Sequence, residues 1–220
     1  VTEEINNENK IDFIFNVKDS DNFYVEKINI IGNFNTIEEV VRNKLIVDEG
    51  DPYNELLHNK SINEIKSMGI FKTVNSEIKD GSNPNTKTIN ITVEEKPTGE
   101  ISLSAGFGTD GGVLGGGLKE KNFLGKGITL DSDFQLSTEG VKGSITYSKP
   151  NFNYTDNTLF TSIKSISQDN LSTSGYKIST LGLSLGTTFE QYENLFFSPE
   201  IDFTQEDLTT NSSASNSLKK

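Results

Sequence analysis

Two patterns of hydrophobic and polar positions divide the chain, and they meet near Pro97. Before that point short alternating stretches are separated by apolar residues at helical spacing. After Gly99 only alternation remains. In residues 11–19, Phe13, Phe15 and Val17 alternate with polar neighbours, as Ile89, Ile91 and Val93 do just before Glu94 and Glu95. The likeness reads as a weak internal repeat, with residues 11–18 the last strand of a preceding copy of the same domain. An orphan edge strand is the competing reading. Residues 1–10 are polar and read as a frayed end.

Residues 23–31 are rich in β-formers, with Ile28 and Ile30 on one face, and Gly32 with Asn33 marks a turn. Thr36 followed by Glu39 is a capping-box signature, set ahead of Ile37, Val40, Val41 and Leu45 at helical spacing. It predicts a first helix ended by Glu49 and Gly50. Pro52 opens a second helical stretch that runs to about Met68, with Leu57, Ile65 and Met68 inward and Gly69 placed for the cap. Residues 70–78 and 86–95 then read as two strands joined by the polar turn DGSNPN.

Beyond Gly99, Ile101, Leu103, Ala105 and Phe107 alternate with Ser102, Ser104, Gly106 and Gly108. The same rule recurs at Ile128, Leu130, Phe134 and Leu136, at Val141, Ile145 and Tyr147, at Leu181, Leu183, Leu185 and Phe189, and at Phe197, Ile201 and Phe203. Carboxylates such as Asp131, Asp133, Glu200 and Asp202 take the opposite face. This gives roughly seven strands, the less regular ones near 113–120 and 157–167. A soluble sandwich shows the same alternation. Aromatic residues near strand ends, Phe123, Phe152 and Tyr192, favour a membrane barrel.

Composition narrows the choice. No apolar run reaches the about 18 residues a membrane-crossing helix needs. The mean hydropathy of -0.47 does not count against a barrel, in which only alternate residues meet lipid. A formal net charge of -12 at pH 7 argues against nucleic acid, whose phosphates call for clustered Lys and Arg. There is no cysteine, hence no disulfide or thiolate metal site, and the single histidine, His58, excludes a histidine-rich zinc site. His58 reads as a surface side chain. Gly125, Lys126 and Gly127 lack the Ser or Thr of a phosphate-binding loop and are flanked by strands. The pairs Asp131/Asp133 and Glu200/Asp202 could serve acid–base chemistry or calcium, but solvated acids on a polar sheet face account for both. No nucleophile with a matched base is visible, so no enzyme, cofactor or metal is expected.

The stretches EKPTGEISLSAGFGTDGG and NFLGKG, with EKINIIGNFNT, GDPYN and MGIFKTV before them, resemble the last POTRA domain and the start of the barrel in the family of outer-membrane protein assembly factors. The order strand, helix, helix, strand, strand is the POTRA pattern. The resemblance implies an α+β POTRA domain followed by an incomplete, all-β antiparallel transmembrane barrel portion. Its division is 1–20, the end of a preceding POTRA domain, then 21–96, a complete last POTRA domain, then 97–220, the N-terminal part of the barrel. No export signal is visible at residue 1, and both ends read as cuts in a longer protein.

The resemblance also implies function: insertion of client barrels into the outer membrane, with the POTRA domain in the periplasm and lipoprotein partners beside it. Clients would pair with the open edge formed by Phe71, Lys72, Thr73, Val74, Asn75 and Ser76. Lys72 and Lys79 could instead blunt that edge. The first barrel strand, with Ile101, Ser102, Leu103, Ser104, Ala105, Gly106 and Phe107, would form a weak lateral seam. Glu49 matches an acidic position that contacts a partner. The rivals are a secretion pore of the same superfamily, a passive porin or adhesin, and a barrel-linked hydrolase whose catalytic domain would lie elsewhere.

Overall fold

A computed structural model describes residues 2–5, 11–14, 22–108 and 111–218. At the N-terminus β1 (Thr2–Ile5) and β2 (Ile11–Ile14) pair antiparallel as an isolated two-stranded sheet. Residues 2–5 are therefore extended and paired, where the polar composition predicted fraying. The rest of the expected strand at 15–18 lies outside the described residues.

The first layered unit comprises β3 (Tyr24–Ile31), α1 (Glu38–Arg42), α2 (Glu55–Ser67), β4 (Phe71–Asp80) and β5 (Thr86–Glu95). Its sheet runs β3-β5-β4, with β3 parallel and β4 antiparallel to β5. A parallel neighbour requires a long crossover, and the two helices supply it. They cover one sheet face, where Val25, Ile28, Ile89, Ile91 and Val93 meet Val41, Ile62 and Ile65 in one buried cluster. Helix α2 turns His58, Ser61, Ile62 and Ile65 inward, the spacing of one helical stripe. The Asn54 side chain caps it by accepting from the Leu56 and Leu57 amides at 2.9 and 3.1 Å.

Three sequence readings need correction here. The first helix is only five residues long, its N-cap is Ile37, and no side chain caps it, so Thr36 and Glu39 form no capping box. Pro52 does not open α2; it bridges to Tyr24 at the sheet margin. Leu57 is partly exposed and His58 is buried, with 4% of its surface accessible. Ile65 is buried and Met68 packs against the core as predicted, so only Leu57 is displaced, by its neighbour His58.

The second unit is an antiparallel meander of β6 (Gly99–Gly108), β7 (Gly111–Phe123), β8 (Ile128–Ser137), β9 (Gly140–Lys149), β10 (Thr158–Asn170) and β11 (Tyr176–Tyr192), each paired with the next. Beyond β11 lie β12 (Leu195–Phe197) and β13 (Glu200–Thr210), both alongside it. The eight strands thus fill seven positions, as the alternation predicted. Registers place Ile101, Leu118, Ser132, Ile145, Ile163, Leu183 and Phe203 in one cross-strand row on one face, apolar except at Ser132. Glu100, Lys119, Asp131, Thr146, Ser162, Ser184 and Asp202 form a row on the other. Lys119 pairs with Asp131 at 2.9 Å, Ser144 donates to Asp133 at 2.5 Å and Ser184 donates to Asp202. Among the described residues no helix is long and apolar enough to cross a membrane, a test that does not bear on strands.

Candidate functional site

Chemistry in this chain lies in backbone edges and in one docked turn. In the three-stranded sheet the two edges differ. The outer side of β3 is occupied: Val25 donates to Asp51 O at 2.9 Å, Gly50 to Val25 O at 2.7 Å and Tyr53 to Phe23 O at 2.7 Å. Farther along, Ile28 N donates to the Glu49 carboxylate at 2.9 Å, and Arg42 donates to Ile28 O at 2.9 Å. Segment 48–53 and two charged side chains therefore stand where another strand would pair.

The edge of β4 has no such cover among the described residues. It pairs only with β5, and Phe71, Lys72, Thr73, Val74, Asn75 and Ser76 all lie along it. Lys72 bonds the Glu94 carboxylate at 2.7 Å and Lys79 approaches Glu77 at 3.1 Å. Both lysines are thus turned toward acids of their own sheet. Above the edge, His58 Nε2 and Ser76 Oγ share a hydrogen bond of 2.9 Å, joining α2 to β4. Burial holds the His58 imidazole below its usual range, with Glu55 opposing weakly.

Glu49 is partly committed inside the domain. Besides the Ile28 amide it faces Arg42 at 3.7 Å, and its side chain stays half exposed. An outside cation would find an acid already positioned by two internal contacts.

At the far side, β6 is the terminal strand of the meander, and Ile101, Ser102, Leu103, Ser104, Ala105, Gly106 and Phe107 are all exposed. Its neighbour offers little to grip. Ser102, Leu103 and Ser104 stand opposite Gly117, Gly116 and Gly115. A Cβ at Gly116 would lie 2.7 Å from the Phe134 ring, and one at Gly115 2.6 Å from Ser104 Oγ. The glycines make room for these side chains, so β6 is held by its backbone ladder with few side-chain contacts.

The change of pattern near Pro97 marks the seam between the two units, and the fold adds the contact made across it. The turn 122–127, between β7 and β8, is seated on the loop 33–37 that precedes α1. Asn122 Nδ2 donates to Thr36 Oγ1 at 2.8 Å while its Oδ1 accepts from Gly127 N at 2.8 Å. Ile37 N donates to Gly125 O at 2.9 Å. Gly125 has φ +70, and a Cβ there would stand 1.9 Å from Asn35 O, so only glycine permits this approach. From the other side Glu95, the last residue of β5, accepts from Asn35 N and Nδ2 and from Thr36 N, the last at 2.7 Å. Burial alone would raise the Glu95 pKa, but hydrogen bonds from Thr36 and Asn35 outweigh it and hold it below the usual range. Thr36 thus serves the domain contact in place of a helix cap. The glycines of NFLGKG were readable as residues that accommodate bending and close strand approach; the segment they approach, the loop 33–37, was not.

Comparison with known proteins agrees with this geometry. Residues 23–96 match the POTRA model, described as a surface antigen variable number repeat. The chain is 29% identical over 144 residues to the outer membrane protein assembly factor BamA of Neisseria meningitidis, covering 64% of this chain and 18% of that protein. The crystal structure of Haemophilus ducreyi BamA lacking POTRA domains 1–3 superimposes with a TM-score of 0.76 at 24% identity, over 95% of this chain and 40% of that one. CdiB from Acinetobacter baumannii follows with 0.60 at 14% identity, over 90% of this chain and 40% of that one. The chain therefore spans less than half the length of each of these three proteins. A POTRA domain seated by a glycine turn on a meander of barrel-type strands makes this chain BamA-like.

Proposed function

We propose that the chain is the junctional part of an outer-membrane β-barrel assembly factor, which folds and inserts client barrel proteins by offering them strand edges. One observation carries the reading: a POTRA sheet whose β3 edge is blocked and whose β4 edge is free runs directly into a sheet whose first strand is itself an edge held mainly by backbone. Main-chain pairing tolerates many client sequences, which suits a factor that handles many barrels. Phe71 to Ser76 would receive a client segment first, and Ile101 to Phe107 would template its entry into the bilayer. The apolar row that contains Ile101 and Ile145 faces lipid, the row of Lys119 and Asp131 faces the lumen, and the POTRA domain lies in the periplasm. Glu49, set by Arg42 and the Ile28 amide, contacts a basic group on a periplasmic lipoprotein partner. No catalytic chemistry is assigned.

The test is depletion of the intact parent protein in its host, followed by quantification of the other outer-membrane barrels. Broad loss of barrels is expected. Loss of a single secreted passenger, with other barrels intact, would transfer the assignment to a secretion pore of the same superfamily, the reading that the weaker CdiB likeness would then support. Complementation by a parent protein carrying Ile78→Pro, which removes an N–H that β4 turns away from β5 next along that edge and leaves the ladder to β5 intact, should restore barrel levels only in part.

A further inference from the structure

At the outer rim of the junction a cavity of about 410 Å³ opens between α1 and the connection from β9 to β10. Its contents differ from the rest of this acidic chain. Lys126 and Lys149 both line it, with Glu39 as its lining acid, and among the described residues neither lysine makes an ion pair. Lys149 lies 5.8 Å from the Phe152 ring centroid, and Tyr154 beside it is exposed. Asn151 Nδ2 reaches Asn43 O of the POTRA domain at 3.4 Å, which ties the two walls together. The β9–β10 connection holds its shape with three left-handed residues, Asn151, Asn153 and Tyr154, an arrangement that costs energy for side chains other than glycine.

The register sets the orientation. Lys149 pairs with Leu159, and two and four residues back along its strand Tyr147 and Ile145 share its face. That face is the apolar one. A ligand whose charged group meets the two ammonium groups would therefore continue onto Tyr147 and Ile145 with hydrocarbon. Such a ligand is amphiphilic, and its head is anionic.

We infer that this cavity binds the phosphate headgroup of an anionic phospholipid, Lys126 and Lys149 holding the phosphate and the acyl chains lying along β9. The inference rests on the reading that the apolar face meets the bilayer. A bound lipid would touch α1 and the barrel rim together, and so reinforce the angle that the Asn122 turn fixes.

The test uses the intact parent protein folded into phosphatidylcholine bilayers with and without phosphatidylglycerol, then released and weighed by native mass spectrometry. Retention of phosphatidylglycerol is expected, and K126Q/K149Q should weaken it about thirtyfold, the product of two lysine contributions near an anionic surface. K142Q/K164Q, which removes two lysines from the polar face, should retain the lipid. Equal retention by K126Q/K149Q, or full displacement of the lipid by inorganic phosphate, would overturn the inference. Failure to enter bilayers at all would overturn both this inference and the function above, whereas entry without preference for the anionic lipid would overturn this one alone.

Discussion

The two sheets of this chain are written in the same alternation and end in opposite surroundings. In the POTRA domain Ile89 and Ile91 of β5 are 1% and 0% exposed; in the barrel portion Ile101 and Leu103 of β6 are 79% and 83% exposed. Among the described residues beyond Pro97, Ile128 and Ala214 are the only buried apolar side chains. Alternation fixes which residues share a face, and it is silent on what covers that face. In the first sheet the cover is α2 and the loops around it. In the second none of the described residues supplies it, and an apolar surface of such extent is stable only against lipid or more protein. Packing density therefore holds the first unit together, and the backbone ladder holds the second.

The largest effect should come from separating the two. A fragment of residues 22–96 should be monomeric in water and unfold cooperatively, while residues 97–220 without detergent should elute as aggregate. A monomeric, folded second fragment in water would end the comparison. Next in size, Ile91→Ala should cost the POTRA domain about 2–5 kcal/mol in a urea titration, since it empties space in a closed core. Leu103→Ala in the detergent-held chain should cost less than about 1 kcal/mol, because mobile hydrocarbon fills what the side chain leaves.

Much of this arrangement was legible from the residues. The strands from β3 onward, the second helix with its end near Met68 and the polar face carrying Asp131 and Asp133 follow from periodicity, and the presence of a POTRA domain from its motifs. What could not be read depended on neighbours distant in sequence. Thr36 looks like a helix cap because Glu39 follows it, yet its hydroxyl is taken by Asn122, a partner that no local rule can supply. His58 looked exposed because its sequence neighbours are polar. Its burial depends on Ser76 of β4 and on Tyr53, whose ring centroid lies 6.2 Å away. Glu49 was readable as an acid and unreadable as a ligand of the Ile28 amide.

A smaller effect would sharpen the comparison at the seam. Gly125→Ala meets two obstacles: a left-handed backbone, at about 1–2 kcal/mol for a residue with a Cβ, and the Asn35 carbonyl 1.9 Å from the new carbon. Neither sheet contains Gly125 within a strand, so each should keep its own stability. The contact between them should loosen. Amide exchange at Ile37, whose N–H is bonded to Gly125 O, should rise by about tenfold or more while Ile91 stays protected. Equal loss of protection at both amides would mean that the POTRA fold itself depends on the turn.

The smallest effect is the dependence of the POTRA core on pH, and its sign follows from His58. Burial lowers the pKa of the folded imidazole, so the unfolded chain binds that proton more readily, from about pH 6.5 downward. Above that value both states are neutral at this residue and His58 adds no slope. As pH falls below it, stability declines until the folded pKa is reached, and then levels off. His58→Gln can still meet the Ser76 hydroxyl but has no proton to gain. Urea titrations of residues 22–96 between pH 7.5 and pH 5.5 should show a decline for the native sequence that is largely absent in the variant. If both decline equally in that window, the acid sensitivity does not come from His58, nor from carboxylates such as Glu95, whose folded pKa is also lowered and whose loss sets in only at more acidic pH. That outcome would leave the buried imidazole between α2 and β4 without a part in the acid response.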